Sequence, residues 1–169
     1  MTENNGEKAT QYATFGAGCF WQVEEQFRAL DGFVDTAVGY EGGEIENPTY
    51  EQVCTGRTGH VEVARVEFDP SRIDYAELVQ KYFELHDPTQ LNRQGPDVGW
   101  QYRSVIFTED DDQAAQAQEV LEANRGRFRD PIVTEIEPAK PFWRAEEYHQ
   151  CYLQKRHSGT GLLSQLLGR

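Results

Sequence analysis

Lysine is scarce in this chain of 169 residues. The 16 basic residues are 12 arginines and 4 lysines, set against 29 acids for a net charge of -13. Contact with nucleic-acid phosphates needs a basic surface, so the charge balance argues against that class of function. Long apolar runs are missing too: none approaches the ~20 residues that cross a bilayer, and no membrane partner is expected. The N-terminal stretch Met1-Thr2-Glu3-Asn4-Asn5-Gly6-Glu7-Lys8 has no apolar segment of the secretory kind, which points to the cytoplasm. Cysteine is limited to Cys19, Cys54 and Cys151, an odd set without metal-ligand spacing. That argues against a disulfide scaffold and a bound metal, and for free or redox-active thiols in a reducing compartment. The acidic, arginine-rich balance fits a high-salt cytoplasm and an ordinary acidic protein equally. It bears on solubility and not on fold.

What the chain does contain is 38% hydrophobic and 12% aromatic residues, enough for one sizeable core. Residues 1–11 are polar and expected to be disordered; residues 12–169 read as a single domain, expected to be a monomer. A strand over 12–16 leads to a helix over 20–30 that Gly32 ends, and Val34, Thr36, Val38 and Tyr40 alternate as a second strand. A long irregular stretch runs from Glu41 to Gly59. The third strand, His60 to Phe68, stops at Asp69-Pro70-Ser71. Asp74 with Glu77 makes a capping signal for a helix that puts Tyr75, Leu78, Val79 and Tyr82 on one face.

A second long loop spans 87–101. After it come a strand from Tyr102 to Phe107, a helix capped by Thr108 and ended by Arg125-Gly126, and a strand from Ile132 to Ile136. A short helix fits Ala145 to Gln154, and the C-terminal tail reads as irregular. The order β-α-β-β-α-β-α-β-α predicts an α+β fold: a ferredoxin-like two-layer α/β sandwich on a mixed sheet, with long functional loops. No phosphate-type glycine motif follows a strand, which speaks against a doubly wound sheet.

Two positions stand out chemically. Gly16-Ala17-Gly18-Cys19-Phe20-Trp21 puts a cysteine where a strand ends and a helix begins. The unpaired N–H groups and positive dipole end of a helix N-terminus favour the thiolate, the nucleophilic form. The same position also fits an inert, buried thiol. In the third strand, Glu62, Ala64, Val66 and Phe68 share one face, so Glu62 points to the apolar side. A carboxyl group there has its pKa raised and suits a general acid. The spacing fits equally a carboxylate in solvent at the strand's start or one paired with arginine.

Each long loop also holds a tyrosine among turn residues, in Asn47-Pro48-Thr49-Tyr50 and Gly99-Trp100-Gln101-Tyr102. A phenol can stabilise a developing oxyanion, and it is also a common packing residue. Asp97 reads as a turn residue, and His60 and His86 as structural histidines.

Taken together, the segments resemble the A-type peptide methionine sulfoxide reductases. The resemblance rests on Gly18-Cys19-Phe20-Trp21, Gly39-Tyr40 with Gly42-Gly43, Asn47-Pro48-Thr49-Tyr50 and Gly59-His60-Val61-Glu62. It extends through His86-Asp87-Pro88, Arg93-Gln94-Gly95-Pro96-Asp97, Gln101-Tyr102-Arg103-Ser104 and Glu147-Tyr148-His149-Gln150, in family order over roughly residues 12 to 155. It implies reduction of methionine-S-sulfoxide, free and peptide-bound, with Cys19 attacking the sulfur and becoming a sulfenic acid. It further implies that Glu62 supplies a proton to the sulfoxide oxygen, that Tyr50 and Tyr102 hydrogen-bond it, and that Asp97 assists them. Phe20 and Trp21 match the pocket for the substrate's methyl group. The resemblance implies no bound cofactor and an external thiol, thioredoxin, as reductant.

The chain departs from the family's best-known pattern in the tail. Arg156-His157-Ser158-Gly159-Thr160-Gly161 has no cysteine, and position 22 after Trp21 is glutamine. Three routes then return Cys19 to a thiol: resolution by Cys151, resolution by Cys54, or direct reduction by an external thiol. Two other readings of the motifs remain at this level: a non-catalytic module or thiol sensor that recognises oxidised methionine, and an acyl-transfer cysteine enzyme using His60 or His149 as base.

Overall fold

The computed structural model describes residues 9–156; the expected disorder of residues 1–8 and the irregular tail fall outside them, save for a helical stretch at 152–156. The strands are β1 (Gln11–Gly16), β2 (Phe33–Glu41), β3 (Val61–Phe68), β4 (Arg93–Gln94), β5 (Asp97–Val98), β6 (Val105–Thr108), β7 (Glu135–Pro138) and β8 (Trp143–Arg144). The helices are α1 (Phe20–Arg28), α2 (Tyr50–Cys54), α3 (Tyr75–Leu85) and α4 (Asp111–Asn124). Six strands form one mixed sheet in the order β7-β6-β1-β3-β2-β8, and β4 pairs with β5 as a small hairpin. The inner order β6-β1-β3-β2 is antiparallel throughout, and only β6 with β7 is parallel. Each of the crossovers β1-α1-β2 and β3-α3-β6 skips one strand, which is the split βαβ arrangement expected from the sequence.

Period-2 burial divides the sheet into two faces. Ala13, Phe15, Val38, Tyr40, Ala64, Val66, Phe68 and Ile106 join Phe20, Val23 and Phe27 of α1 and Leu78, Val79, Tyr82 and Phe83 of α3 in the main core. The other face carries a smaller cluster of Val61, Val63, Val105 and Phe107, covered by Phe142. Arg65 lies on that side between the rings of Tyr12 and Phe142, 4.3 and 4.1 Å from their centres. No helix among the described residues is long and apolar enough to cross a membrane.

Several boundaries differ from the sequence-based expectation. Gln11, placed by composition in the polar segment, opens β1 because it pairs with Phe68. The stretch from Glu41 to Gly59 is not irregular throughout: Thr49 and Gln52 form a reciprocal capping box that starts α2. Tyr102 belongs to a 3₁₀ turn, Trp100–Tyr102, because its N–H bonds back to Gly99. Thr108 ends β6, and the N-cap of α4 is Asp110, whose carboxylate accepts from the Gln113 N–H at 2.8 Å. The Asp74 and Glu77 signal holds, with Glu77 accepting from the Asp74 N–H at 3.0 Å.

The strand expected from Ile132 begins instead at Glu135, since Val133 donates to the Pro88 carbonyl outside the sheet. The expected helix from Ala145 is broken. A 3₁₀ turn at Glu147–His149 comes first, Cys151 adopts a left-handed φ of 51°, and only then does the chain turn helical.

Gly39 shows how tightly this last segment lies on β2. A Cβ there would stand 2.6 Å from Cζ of Phe142 and clash with the Trp143 carbonyl, whereas a Cβ on Gly126 would meet nothing within 4 Å. Overpacking of this kind costs about 1–3 kcal/mol. Gly39→Ala should therefore lower the thermal midpoint by several degrees and Gly126→Ala should not, as measured by circular dichroism melts.

Candidate active site

Cys19 is the N-cap of α1, with its carbonyl accepting from Gln22 and Val23 N–H at 3.2 and 3.4 Å. Gly18 before it has a φ of 90°, and a Cβ there would lie 2.7 Å from Cβ of Gln94. The turn therefore needs glycine both for its backbone and for the close approach of the loop that leads to Asp97. Glu62 comes up beneath this turn from β3. Its Oε1 accepts the Phe20 N–H at 3.2 Å, while its Oε2 is buried without a hydrogen-bond partner. Only 1% of Glu62 is exposed.

Electrostatics overturn one expectation about the thiol. Burial pushes the Cys19 pKa up from 9.0 to about 11, against the N–H groups of Trp21 and Gln22, which lower it; Glu62 and Asp97 raise it further. The helix terminus is present as the sequence predicts, but desolvation outweighs it, so the resting group is a thiol and not a thiolate. Burial likewise lifts Glu62 to about 8, opposed by the Phe20 N–H and assisted by Asp97. Thiol and acid are both protonated at neutral pH.

The loops bring in the phenols. Tyr50 is the first residue of α2, and Tyr102 ends the 3₁₀ turn after β5. Burial raises both above the usual tyrosine value, and each also feels Glu62. Tyr102 in addition senses Cys54, Asp97 and Cys19, so it stands among all the groups named so far. Tyr50 faces the thiol of Cys54. Asp97, in β5, acts on Cys19, Glu62 and Tyr102 through its charge.

Aromatic rings line the other side of α1's first turn. Phe20 is buried, with ring centres 5.7 Å from Tyr40, 6.5 Å from Tyr50 and 5.1 Å from His149. Trp21 stacks on Tyr152 at 3.8 Å, and its indole N–H donates to Nδ1 of His149 at 2.9 Å. An indole nitrogen only donates, so His149 carries its proton on Nε2. Burial holds His149 below its ordinary pKa against the pull of Glu146. Glu146 in turn accepts from the Tyr40 hydroxyl at 2.8 Å and the Tyr50 N–H at 2.9 Å.

The structure thus gathers Cys19, Glu62, Tyr50, Tyr102, Asp97, Phe20 and Trp21 around one turn. It treats Cys151 differently. The backbone N–H of Cys151 donates to Glu24 at 2.8 Å, and its thiol lies 3.8 Å from the same carboxylate. The charges it feels are those of Glu24, Arg28 and Asp35, whereas Cys19 feels Glu62 and Asp97. Sequence reasoning missed Glu146 and Tyr152 as parts of the site and offered His149 only as a base for acyl transfer; the Glu147-Tyr148-His149-Gln150 motif between them was the one signal.

Among the described residues, the histidines leave no base for acyl transfer. His60 is bonded to the Gly43 N–H and the Ile45 carbonyl, and Nδ1 of His149 is taken by Trp21. His86 is held by Tyr82 and Ser104, and burial lowers its pKa to about 4.

A family model described as peptide methionine sulfoxide reductase matches residues 11–165. The chain belongs to the peptide methionine sulfoxide reductase family. A relative in Methanoculleus marisnigri, peptide methionine sulfoxide reductase MsrA, is 58% identical over 155 residues, covering 90% of this chain and 94% of the relative. The solved methionine sulfoxide reductase A of Corynebacterium diphtheriae superposes with a TM-score of 0.83 at 41% identity, covering 89% of this chain and 76% of that one. Mxr1 from Saccharomyces cerevisiae, solved in complex with Trx2, gives a TM-score of 0.62 at 27% identity, with 89% of each chain covered. The chain is accordingly an oxidoreductase that reduces peptide methionine sulfoxide, the (S)-S-oxide reductase activity of the family.

Two measurements check the electrostatics. With Cys54 and Cys151 replaced by serine, alkylation of Cys19 by iodoacetamide should rise with pH toward a midpoint near 11, and Glu62→Gln should lower that midpoint by removing a like charge. A midpoint at or below 8 contradicts the dominance of burial. Glu62 also bears on folding: its folded pKa stands above the ordinary 4.5, so it weakens the fold as pH rises from 4.5 and does so fully above about 8. The stability of Glu62→Gln relative to wild type should shift in its favour over that window, on the order of a few kcal/mol, and then level off in denaturant titrations.

Proposed function

We propose that reduction proceeds by attack of the Cys19 sulfur on the sulfur of methionine-S-sulfoxide, free or within a peptide, with Glu62 moving the proton. The observation that carries this reading is the bare, buried Oε2 of Glu62 on a carboxyl held near pKa 8 beside a half-buried thiol. Sulfoxides have an electrophilic sulfur and a basic oxygen. As the Cys19 sulfur bonds to the sulfoxide, negative charge builds on the oxygen, and an acid hydroxyl aimed there stabilises it. Tyr50 and Tyr102, phenols held firmly neutral, donate to the same oxygen. Burial keeps Glu62 protonated, and the charge of Asp97 assists it.

The balance is simple. Thiol plus sulfoxide gives sulfenic acid plus thioether: the oxygen moves from substrate to Cys19, which is oxidised by two electrons while the methionine is reduced. In ionic steps, protonated Glu62 gives its proton to the sulfoxide oxygen as the Cys19 sulfur attacks, the carboxylate left behind takes the thiol proton, and the hydroxyl passes to Cys19 as the bond to the substrate sulfur breaks. Phe20 and Trp21 take the terminal methyl against their rings, which aims the sulfur at Cys19 and selects the epimer.

Regeneration falls to an external dithiol, which reduces the sulfenic acid, becomes a disulfide and releases water. Thioredoxin is the class of reductant, in keeping with the yeast relative solved with Trx2. Cys151 is given no part in it, because its thiol sits on Glu24 along α1.

Turnover of methionine-S-sulfoxide with dithiothreitol tests the scheme. Cys19→Ser should abolish it, and Glu62→Gln should lower kcat by about 10²–10⁴, the usual contribution of a general acid. The rate of the chemical step should fall above pH about 8 in wild type and lose that limb in Glu62→Gln. A Glu62→Gln enzyme at full rate removes the acid from the mechanism.

A further inference from the structure

Tyr50 opens a helix of only five residues, Tyr50–Cys54. Helices this short do not hold themselves in place. The capping box satisfies the N–H groups of Thr49 and Gln52 within the helix's own first turn. It does nothing to fix the helix against the rest of the molecule. Val53 seats the helix in the main core, and a polar tie at its first residue comes from across the fold: the Tyr50 N–H donates to Oε2 of Glu146 at 2.9 Å.

The other oxygen of the same carboxylate, Oε1, accepts the Tyr40 hydroxyl at 2.8 Å. Tyr40 is fully buried in β2, is the register partner of Glu62 in β3, and lies under the ring of Phe20. One carboxylate therefore ties the loop helix to the strand pair that carries the acid. Glu146 is itself anchored. Ala145 donates to the Val38 carbonyl at 3.0 Å, and the Gln150 amide clamps both backbone groups of Val38 and the Ala145 carbonyl at 2.9 to 3.0 Å.

Both partners of Glu146 are donors, an amide N–H and a phenol O–H. A carboxylate accepts from both at once. Burial works to raise its pKa, and the bonds from Tyr50, Tyr40 and its own backbone, with the nearby His149, overcome that and hold it ionised.

We propose that Glu146 is a positioning residue for sulfoxide reduction, its carboxylate shared between Tyr50 and Tyr40 so as to fix where the Tyr50 hydroxyl meets the sulfoxide oxygen. This rests on the reading of Tyr50 as a donor to that oxygen. A misplacement of a reacting group by about 1 Å costs up to roughly 100-fold in rate, and the Tyr50 hydroxyl sits at the far end of a side chain that pivots on this contact.

The test is a double-mutant cycle on the single-turnover rate of Cys19 oxidation by methionine-S-sulfoxide, with KM and thermal midpoint measured alongside. Glu146→Ala should lower the rate roughly 10- to 100-fold with little change in KM. Glu146→Gln should recover most of the rate, since its amide oxygen still accepts from Tyr50 and its NH₂ can donate to Tyr40. Tyr50→Phe should be slow by itself, and adding Glu146→Ala to it should cost less than about threefold more, because the two act through one group.

Losses that multiply in the double variant would overturn the positioning role while leaving Tyr50 as a donor. Wild-type speed in Tyr50→Phe would overturn the reading of Tyr50, and this inference with it. If Glu146→Ala does not fold, Tyr40→Phe, which keeps the shape of the core, carries the same cycle. A rate loss that disappears in the Tyr50→Phe background supports the proposal, and a multiplicative loss or no loss refutes it.

Discussion

Desolvation of a thiol and a carboxyl group in one recess is the constraint on which the rest of this structure turns. Each group alone would shed its proton more easily in water than it does beneath the first turn of α1. Burial does most of this, Asp97 raises both, and Glu62 raises Cys19 further. The result is a resting site that is neutral at its centre and holds the proton a sulfoxide oxygen needs. A preformed thiolate would be the better nucleophile at rest, but it would raise the pKa of Glu62 only by repulsion and would offer a standing target for oxidants. In the proposed mechanism, keeping both protons in place until substrate fills the recess makes nucleophile and acid available in the same event.

The fold makes that recess with few parts. Period-2 alternation along β3 turns Glu62 to the helix side, in line with Ala64, Val66 and Phe68. The split βαβ topology then brings the β1–α1 turn over the end of the same strand, so that a backbone N–H, that of Phe20, meets the acid from above. That single bond satisfies one oxygen and fixes the other as bare. The phenols cannot come from the sheet, which is already filled with core side chains. They come from the two long loops, and the segment 143–152 is laid across β2 and α1 to hold one of those loops and to pin Trp21.

This division explains how much the sequence discloses. Elements with a strong period, β1, β2, β3, α1 and α3, read correctly, and with them the face on which Glu62 lies. α2 escapes because it buries only Val53 and so has no apolar period to detect; the Thr49-x-x-Gln52 capping box was its sole local mark. The expected helix from Ala145 fails for the opposite reason. Its residues are committed to distant partners, Glu146 to Tyr40 and Tyr50, His149 to Trp21, Gln150 to Val38, and these contacts hold the backbone out of a helix. Such bonds span about a hundred positions in the chain, and spacing in a sequence carries no record of them. The pKa of Cys19 was misread on different grounds. Its place at a helix N-terminus is legible, but the extent of burial is a tertiary quantity, and here it decides the sign.

The same logic bears on how the oxidised cysteine is restored. A thiol attacks a sulfenic acid as its thiolate, so a resolving group needs both access and an easy ionisation. Cys151 lacks the second: burial and the adjacent Glu24 carboxylate raise its pKa, and its backbone N–H is tied to that carboxylate in a left-handed conformation. Cys54 lies closer to the site chemistry, yet burial and then Glu62, Glu146 and Glu51 raise it as well, with the Tyr50 hydroxyl only partly offsetting them. Burial first, and then nearby carboxylates, raise all three cysteines and work against a thiolate generated among them. A reductant from outside brings a thiol whose ionisation was set in its own structure. In the proposed scheme the half-exposed Cys19 is where it has to reach.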